Sequence, residues 1–285
     1  MQSIAQKNIA IVCNPLAGSG RASKLTDKIA DELTRKQINY SVFQENWPSS
    51  LGEFTDIWIV GGDGTLNYFI NHYPGIKLPL AIFKGGTGND VHWLLYGKKS
   101  FEEQMQLALS TTAKPIDAGR CNEKYFLNGV GIGFEGAVVK SLTGKKKLPG
   151  KTSFLLTILK KIFFYRSRLY KIESDKFKLE KNFLMIDVAN GQRAGGGFHI
   201  APVSAIDDGW LDVVLVNRLH PLMRLRYLPV IEKGKHLHRS FIQHFKTKKI
   251  IIECDQSLQA HLDGEYYSAN KMEILILPGW LAFRY

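Results

Sequence analysis

The sequence predicts an α/β N-terminal domain built on a parallel sheet, followed by an all-β antiparallel sandwich. Three observations carry this. Short apolar runs alternate with helical stretches over the first third of the chain, and three of those runs end in glycine-rich turns. From about Pro115 onward, short β-like runs follow one another between turn residues. Strand, turn and helix in repetition make a parallel sheet, whereas strands at hairpin spacing make a sandwich.

In chain order, IAIVC (9–13) is the first strand and NPLAGSG leads from it into a polar–apolar helix over roughly 19–36. YSVFQ (40–44), IWIV (57–60) and LPLAIF (78–83) are the next three strands, with a helix from Thr65 to about Tyr73. The boundary falls within 112–120, giving a first domain of 1–115 and a second of 116–277, with residues of about 278–285 expected to return to the first. The second domain carries the runs KYFLNGVGI, KNFLMIDVAN, GWLDVVLV, KKIIIECD, LQAHLDG and KMEILIL, separated by NGQRAGGG, IDDG and LDGE. One helical insert is expected there, GKTSFLLTILKKIFFY, over about 150–165.

Composition narrows the class. An apolar fraction of 45% over 285 residues indicates a folded protein with room for two cores. Cys13, Cys121 and Cys254 are odd in number and far apart, which fits a reducing compartment and suggests neither a disulfide framework nor a zinc site. The opening MQSIAQKNIAIV lacks the features of a signal peptide. Lys160 and Lys161 interrupt the best candidate for a membrane span, and the cysteine usage leads to the expectation of a cytoplasmic protein. The net charge of +12 is concentrated: residues 140–171 hold ten Lys or Arg and no acid, and residues 218–249 hold nine against Glu232 alone. Such runs point to an anionic partner, whether membrane headgroups, nucleic acid or a polyphosphate.

Residues 57–68 read IWIVGGDGTLNY. A turn that approaches phosphate closely needs Gly, and the helix that follows would aim its free N–H groups and positive dipole end at the same point. An acid there repels phosphate, so Asp63 implies Mg²⁺ or a hydrogen bond from something other than phosphate. Asn67, one turn into the helix, could reach a phosphate or ribose. In NPLAGSG, Pro15 presets the turn while Gly18 and Gly20 allow close approach, but neither P-loop nor dinucleotide-fold spacing is present. GGTGND (85–90) offers Thr87 and Asn89, with Asp90 expected as the N-cap of a following helix. Ligands of parallel sheets lie beyond the carboxyl ends of the strands, so the three turns are expected to converge.

IDDGWLD (206–212) reads as a hairpin turn or as a seat for a hard cation. HLDGEYY (261–267) sets Asp263 and Glu265 on either side of a glycine; a glutamate there is either a general base or a solvated side chain. GQRAGGGFHIAP (191–202) is an open loop in which His199 packs or hydrogen-bonds.

In order, NPLAGSG, VGGDGTLN, GGTGND, FLNGVGIGFEG, NGQRAGGGFHIAP with IDDGWLD, and HLDGE make a set that resembles the diacylglycerol-kinase-type lipid kinases, especially the small bacterial soluble ones. Their catalytic domain is related to that of NAD kinases and phosphofructokinases. The matching stretches span residues 14 to 265. The resemblance implies an active site in the cleft between the domains, and ATP bound by Asn14, Pro15, Leu16, Ala17 and Gly18, by Gly61, Gly62, Asp63, Gly64, Thr65, Leu66 and Asn67, and by Thr87. It implies catalytic roles for Asp63, at the phosphate-and-Mg²⁺ centre, and for Glu265, as proton acceptor for a lipid hydroxyl. It also implies an accessory Mg²⁺ at Asp208 with backbone carbonyls near Ala205 and Trp210; on family grounds this overrides a plain turn. Two stretches depart from the family pattern: only WPSSLGEFTD separates the second strand from GGDGT, and Lys84-Gly85-Gly86-Thr87 replaces Pro-hydrophobic-Gly-Thr.

The expectation is therefore an ATP- and Mg²⁺-dependent kinase that transfers the γ-phosphoryl group to a lipid hydroxyl, diacylglycerol or a related lipid, and docks peripherally on an anionic membrane surface. Helix 150–165 would lie at that interface, or pack in the core with a solvated basic face. A soluble kinase of the NAD kinase type and a non-enzymatic lipid-binding regulator are the alternatives. A nucleic-acid partner is not expected, since it would leave the glycine turns unexplained.

Overall fold

In the computed structural model, residues 7–144 and 152–285 are described. The chain forms two units, Met1–Ile116 with Gly279–Tyr285, and Asp117–Pro278. The first is built on four parallel strands, β1 (Asn8–Cys13), β2 (Asn39–Phe43), β3 (Asp56–Gly61) and β4 (Leu80–Lys84), in the order β4-β3-β1-β2. Strands β1, β3 and β4 are almost wholly buried runs of Ile, Val, Ala, Trp and Phe, as expected of parallel strands covered on both faces. Edge strand β2 is largely exposed.

Helices α1 (Arg21–Arg35), α2 (Asp63–His72), α3 (Asp90–Tyr96) and α4 (Phe101–Ser110) complete this unit. Ala22, Thr26, Ile29 and Leu33 recur at helical spacing and form the buried stripe of α1. Ser100 and Glu103 start α4 with a reciprocal capping box. No helix links β2 to β3. Instead Trp47 packs on α2 against Tyr68, Phe69, His72 and Tyr73, with ring centroids 5.3–6.4 Å apart.

Residues 279–285 belong to this unit through specific bonds. Phe283 pairs in parallel with Leu80, and the Arg284 guanidinium donates to Asp56 and to the Thr111 carbonyl. Lys7 Nζ lies 2.9 Å from the other oxygen of Asp56, which is fully buried. Losing either cation would leave this buried carboxylate less compensated.

The second unit contains β5 (Lys114–Cys121), β6 (Lys124–Phe126), β7 (Gly129–Gly133), α5 (Phe134–Leu142), α6 (Thr152–Phe164), β8 (Arg168–Ser174), β9 (Lys178–Ala189), β10 (Leu211–Asn217), α7 (Pro221–Glu232), β11 (Ile242–Thr247), β12 (Lys249–Leu262) and β13 (Glu265–Phe283), of which β5 begins and β13 ends in the first unit. The order is β11-β10-β9-β7-β12-β13, antiparallel between neighbours. Strands β9 and β12 are long enough to pair with β7 at one end and with β8 at the other. A register shift between Glu253 and Leu258 lets β12 bend from one layer to the next. The core between the layers includes Phe126, Ile132, Tyr170, Phe183, Ile252 and Met272.

Some elements differ from the sequence expectation. KYFLNGVGI is two strands, β6 and β7, while KKIIIECD and LQAHLDG are one, β12. Besides α6, the unit holds α5 and α7. Gly133, at φ 88°, starts α5 directly after a stretch expected as a β-like run. Pro221 in the first turn favours α7, but Pro229 within it and the lack of any buried residue erase the apolar stripe that identifies a helix. Residues 145–151, which include Lys145, Lys146, Lys147 and Lys151 of the basic run and the start of the expected 150–165 helix, lie outside the described residues. Among the described residues no helix is long and apolar enough to cross a membrane.

Candidate active site

The three glycine-rich turns meet within the first unit. A Cβ on Gly18 would overlap the carbonyl oxygen of Gly85, and one on Gly62 would lie 2.9 Å from Gly86 Cα. Backbone touches backbone here, and only glycine permits it. Gly85 N donates to the Gly61 carbonyl at 2.8 Å, and Asn14 N to that of Val60 at 3.3 Å. Arg21, the first residue of α1, ties two of the turns together, donating to the Gly18 carbonyl at 3.0 Å and the Gly86 carbonyl at 2.9 Å. Sequence reasoning missed Arg21. Its only signal was a basic residue directly behind a glycine turn.

Asp63 is the first residue of α2, after Gly62. Its two carboxylate oxygens accept from the backbone N–H groups of Asp90 and Val91, each at 3.1 Å. This corrects the expectation for Asp90: the N-cap of α3 is Asn89, at φ 55°, without a side-chain cap bond, and Asp90 is already helical. Asp63 does the capping from a different helix. Burial, and then the charge of Asp90, push the Asp63 carboxyl up to about 6 despite those bonds. Two acids in one desolvated spot are an arrangement that a cation would relieve, so Asp63 and Asp90 fit Mg²⁺. No group of three or more His, Cys, Asp or Glu that could hold a metal occurs among the described residues, so phosphate and water oxygens would complete its shell.

The other expected ATP contacts divide by exposure. Leu16 and Thr87 are exposed, and Lys84 is exposed beside them in the chain. Asn14 Oδ1 accepts from Leu16 N at 3.1 Å and shapes its turn. Thr65 and Leu66 are buried, so their side chains serve packing, and the Leu66 N–H is spent on the Gly62 carbonyl. Asn67 accepts from Asn71 through its backbone carbonyl at 2.9 Å.

In the second unit Asp263 and Glu265 flank a tight hairpin in which Asp263 has φ 49° and Gly264 φ 90°. The Asp263 carboxylate accepts from Leu127 N and Asn128 N at 2.8 Å and from Gly129 N at 3.0 Å, fixing the break between β6 and β7. Glu265 is exposed at the start of β13, with no side-chain hydrogen bond among the described residues. The 191–202 loop is anchored to the same break, as Asn190 N and Gly191 N both donate to the Asn128 carbonyl at 2.8 Å.

The expected accessory metal residues, Ala205, Asp208 and Trp210, lie in the turn before β10. Asp208 Oδ1 accepts from Trp210 N at 3.0 Å, and Oδ2 accepts from Lys246 Nζ at 2.5 Å. With an ammonium already at contact distance, this set does not fit a divalent ion.

A further cluster was legible only as an acid inside an apolar run, LMIDVA. Asp187 is buried beside Glu135, and burial together with the Glu135 charge raises its carboxyl well above the usual range. His261 Nε2 lies 3.7 Å from Glu135 Oε2.

Comparison with known proteins sets these observations in a family. The diacylglycerol kinase catalytic domain matches residues 8–121, and the YegS C-terminal NAD kinase beta sandwich-like domain matches residues 128–284. A Shewanella frigidimarina protein named "Probable lipid kinase YegS-like" is 30% identical over 79% of this chain and 74% of its own length. A diacylglycerol kinase of Bacillus subtilis is 26% identical over 76% of this chain and 73% of its own. Two solved structures speak for the fold. A diacylglycerol kinase from Bacillus anthracis aligns at TM-score 0.74 and 24% identity, covering 98% of this chain and 97% of the other. An NAD kinase from Archaeoglobus fulgidus in complex with ATP aligns at TM-score 0.58 and 14% identity, covering 97% and 93%.

Proposed function

This chain belongs to the lipid kinase family that joins the diacylglycerol kinase catalytic domain to the YegS C-terminal domain, and from that premise we propose that it transfers the γ-phosphoryl group of ATP to the hydroxyl of diacylglycerol or a related lipid. The observation that carries this reading is the junction of three glycine turns at Asp63, where backbone, a helix start and a carboxyl pair meet.

In this reading the turns Asn14–Gly18 and Gly61–Asn67, with Thr87, line the triphosphate and ribose, and the start of α2 faces the phosphates. Arg21 keeps two of the turns in register and adds positive charge next to them. Mg²⁺, held by Asp63 with Asp90 beside it, would neutralise charge on the phosphates. Glu265, exposed at the start of β13, takes the proton of the lipid hydroxyl as its oxygen attacks in line. Phosphoryl transfer asks mainly for positioning and charge neutralisation, and these groups offer both.

Docking on the cytoplasmic face of a membrane belongs to the same proposal. Ile158 and Ile162 of α6 pack against Val138, while Leu155, Leu156, Phe163 and Phe164 are exposed. Arg224 of α7 donates to the Ile162 and Tyr165 carbonyls at 2.9 and 2.8 Å, which keeps exposed Leu222, Met223 and Leu225 close by. Exposed Lys160, Arg166 and Arg226 supply charge for anionic headgroups, worth about 1 kcal/mol each near such a surface.

The test is incubation of the purified protein with labelled ATP, Mg²⁺ and a panel of lipids in mixed micelles, with NAD in parallel. Label in a lipid supports the proposal. Label in NAD alone, or in nothing, rejects it.

A further inference from the structure

Antiparallel pairing of β10 with β11 sets Lys246 directly opposite Asp212. Opposed residues share a face of the sheet, and β10 lies between two apolar clusters, with Val213 and Leu215 in one and Val214 and Val216 in the other. The lysine therefore extends beside the turn that precedes β10. Its ammonium lies 2.5 Å from Asp208 Oδ2 and 3.6 Å from Asp212 Oδ2.

Further bonds hold the turn and the strand that follows it. Asp212 is wholly buried and meets His244 Nε2 at 2.6 Å. Asp208 Oδ1 accepts from Trp210 N, and Asp117 Oδ2 accepts from Gly209 N at 2.7 Å. Two further ammonium groups, of Lys176 and Lys248, stand 5.9 and 5.0 Å from the centre of the Trp210 ring. A divalent ion approaching Asp208 would have to expel the Lys246 ammonium, in a turn whose Trp210 ring has two more beside it. Coulomb repulsion opposes that at every effective dielectric constant a protein offers.

We propose that Lys246 is the resident cation of this turn: its ammonium takes the place at Asp208 that a divalent ion would otherwise hold, so that residues 205–210 are ordered without metal. The inference concerns the second unit alone and stands whether or not the chain phosphorylates a lipid.

The experiment uses the full chain without nucleotide. Thermal unfolding is followed with and without Mg²⁺ or Ca²⁺ for the parent, Lys246→Arg, Lys246→Met and Lys246→Met/Asp208→Asn, and Mn²⁺ binding is titrated for the parent and Asp208→Asn. Lys246→Met keeps the aliphatic stem and removes the charge. It is expected to melt lower than the parent in chelator and to gain about 3 °C or more at a divalent concentration roughly ten times Kd. The double variant should lose that gain, and Lys246→Arg should behave as the parent. Mn²⁺ stoichiometry should be equal in the parent and Asp208→Asn, since any ion near Asp63 contributes to both. One Mn²⁺ fewer in Asp208→Asn overturns the proposal. So does a folded Lys246→Met that ignores divalent ions. Should Lys246→Met not fold, the Mn²⁺ comparison decides alone.

Discussion

Replacing Asp63 by Asn is expected to make the protein more stable and less active. The carboxyl sits at about 6 instead of 3.8 because burial and the charge of Asp90 outweigh two backbone N–H bonds. At about 1.4 kcal/mol per pH unit, the ionised side chain costs the fold about 3 kcal/mol at neutral pH. Asn keeps one acceptor and loses the other, a cost of about 1–2 kcal/mol. The balance is a gain of about 1–2 kcal/mol above pH 7, or a Tm higher by about 2–6 °C. A raised carboxyl means that the native state binds the proton more tightly than the unfolded chain does. The parent therefore gains stability as pH falls through about 6 towards 3.8, and loses it again as pH rises. Asn carries no such dependence, so its advantage should be largest above pH 7 and gone near pH 4. The assay is unfolding of both proteins from pH 4 to 8 in metal- and nucleotide-free buffer, with turnover measured separately in Mg²⁺ and ATP. The difference between the two curves separates Asp63, with its influence on Asp90, from Asp187, which both proteins share. A variant less stable than the parent by a constant amount across that range would refute the reasoning, because the capping bonds would then outweigh burial.

Asp263→Ala leaves the N–H groups of Leu127, Asn128 and Gly129 without their acceptor and should cost about 3–5 kcal/mol, read as a fall in Tm. Glu265→Gln should lower turnover by about 10²–10⁴-fold while Tm stays put, since the side chain is exposed; turnover at the parent rate would remove Glu265 as the base. Phe164→Glu, at a side chain 77% exposed, should weaken cosedimentation with anionic vesicles and leave Tm unchanged, and undiminished binding would exclude that face of α6 from docking.

Strands β1, β3 and β4 were legible because each is a short apolar run stopped by a glycine turn. Strand β12 was not legible as one element, because polar Asp255, Gln256 and Ser257 interrupt it where the register shifts. The glycine turns of the candidate site were readable from their place after apolar runs. Their fastenings were not. Asp63 caps a helix that begins 27 residues later, and Lys246 reaches Asp208 from another strand, 38 residues away. Both bonds depend on which elements become neighbours. Local sequence carries no trace of that until strand order and register are known.

The seven residues from Gly279 to Tyr285 have a consequence for synthesis. The first unit's outer strand β4 finds its neighbour in Phe283, and Asp56 finds its guanidinium in Arg284. On the ribosome, then, the N-terminal half emerges with an open strand edge and a half-compensated acid, and must wait while the whole second unit is translated. An N-terminal fragment that stops near residue 116 would carry those two defects permanently, through a missing tail and not a faulty core.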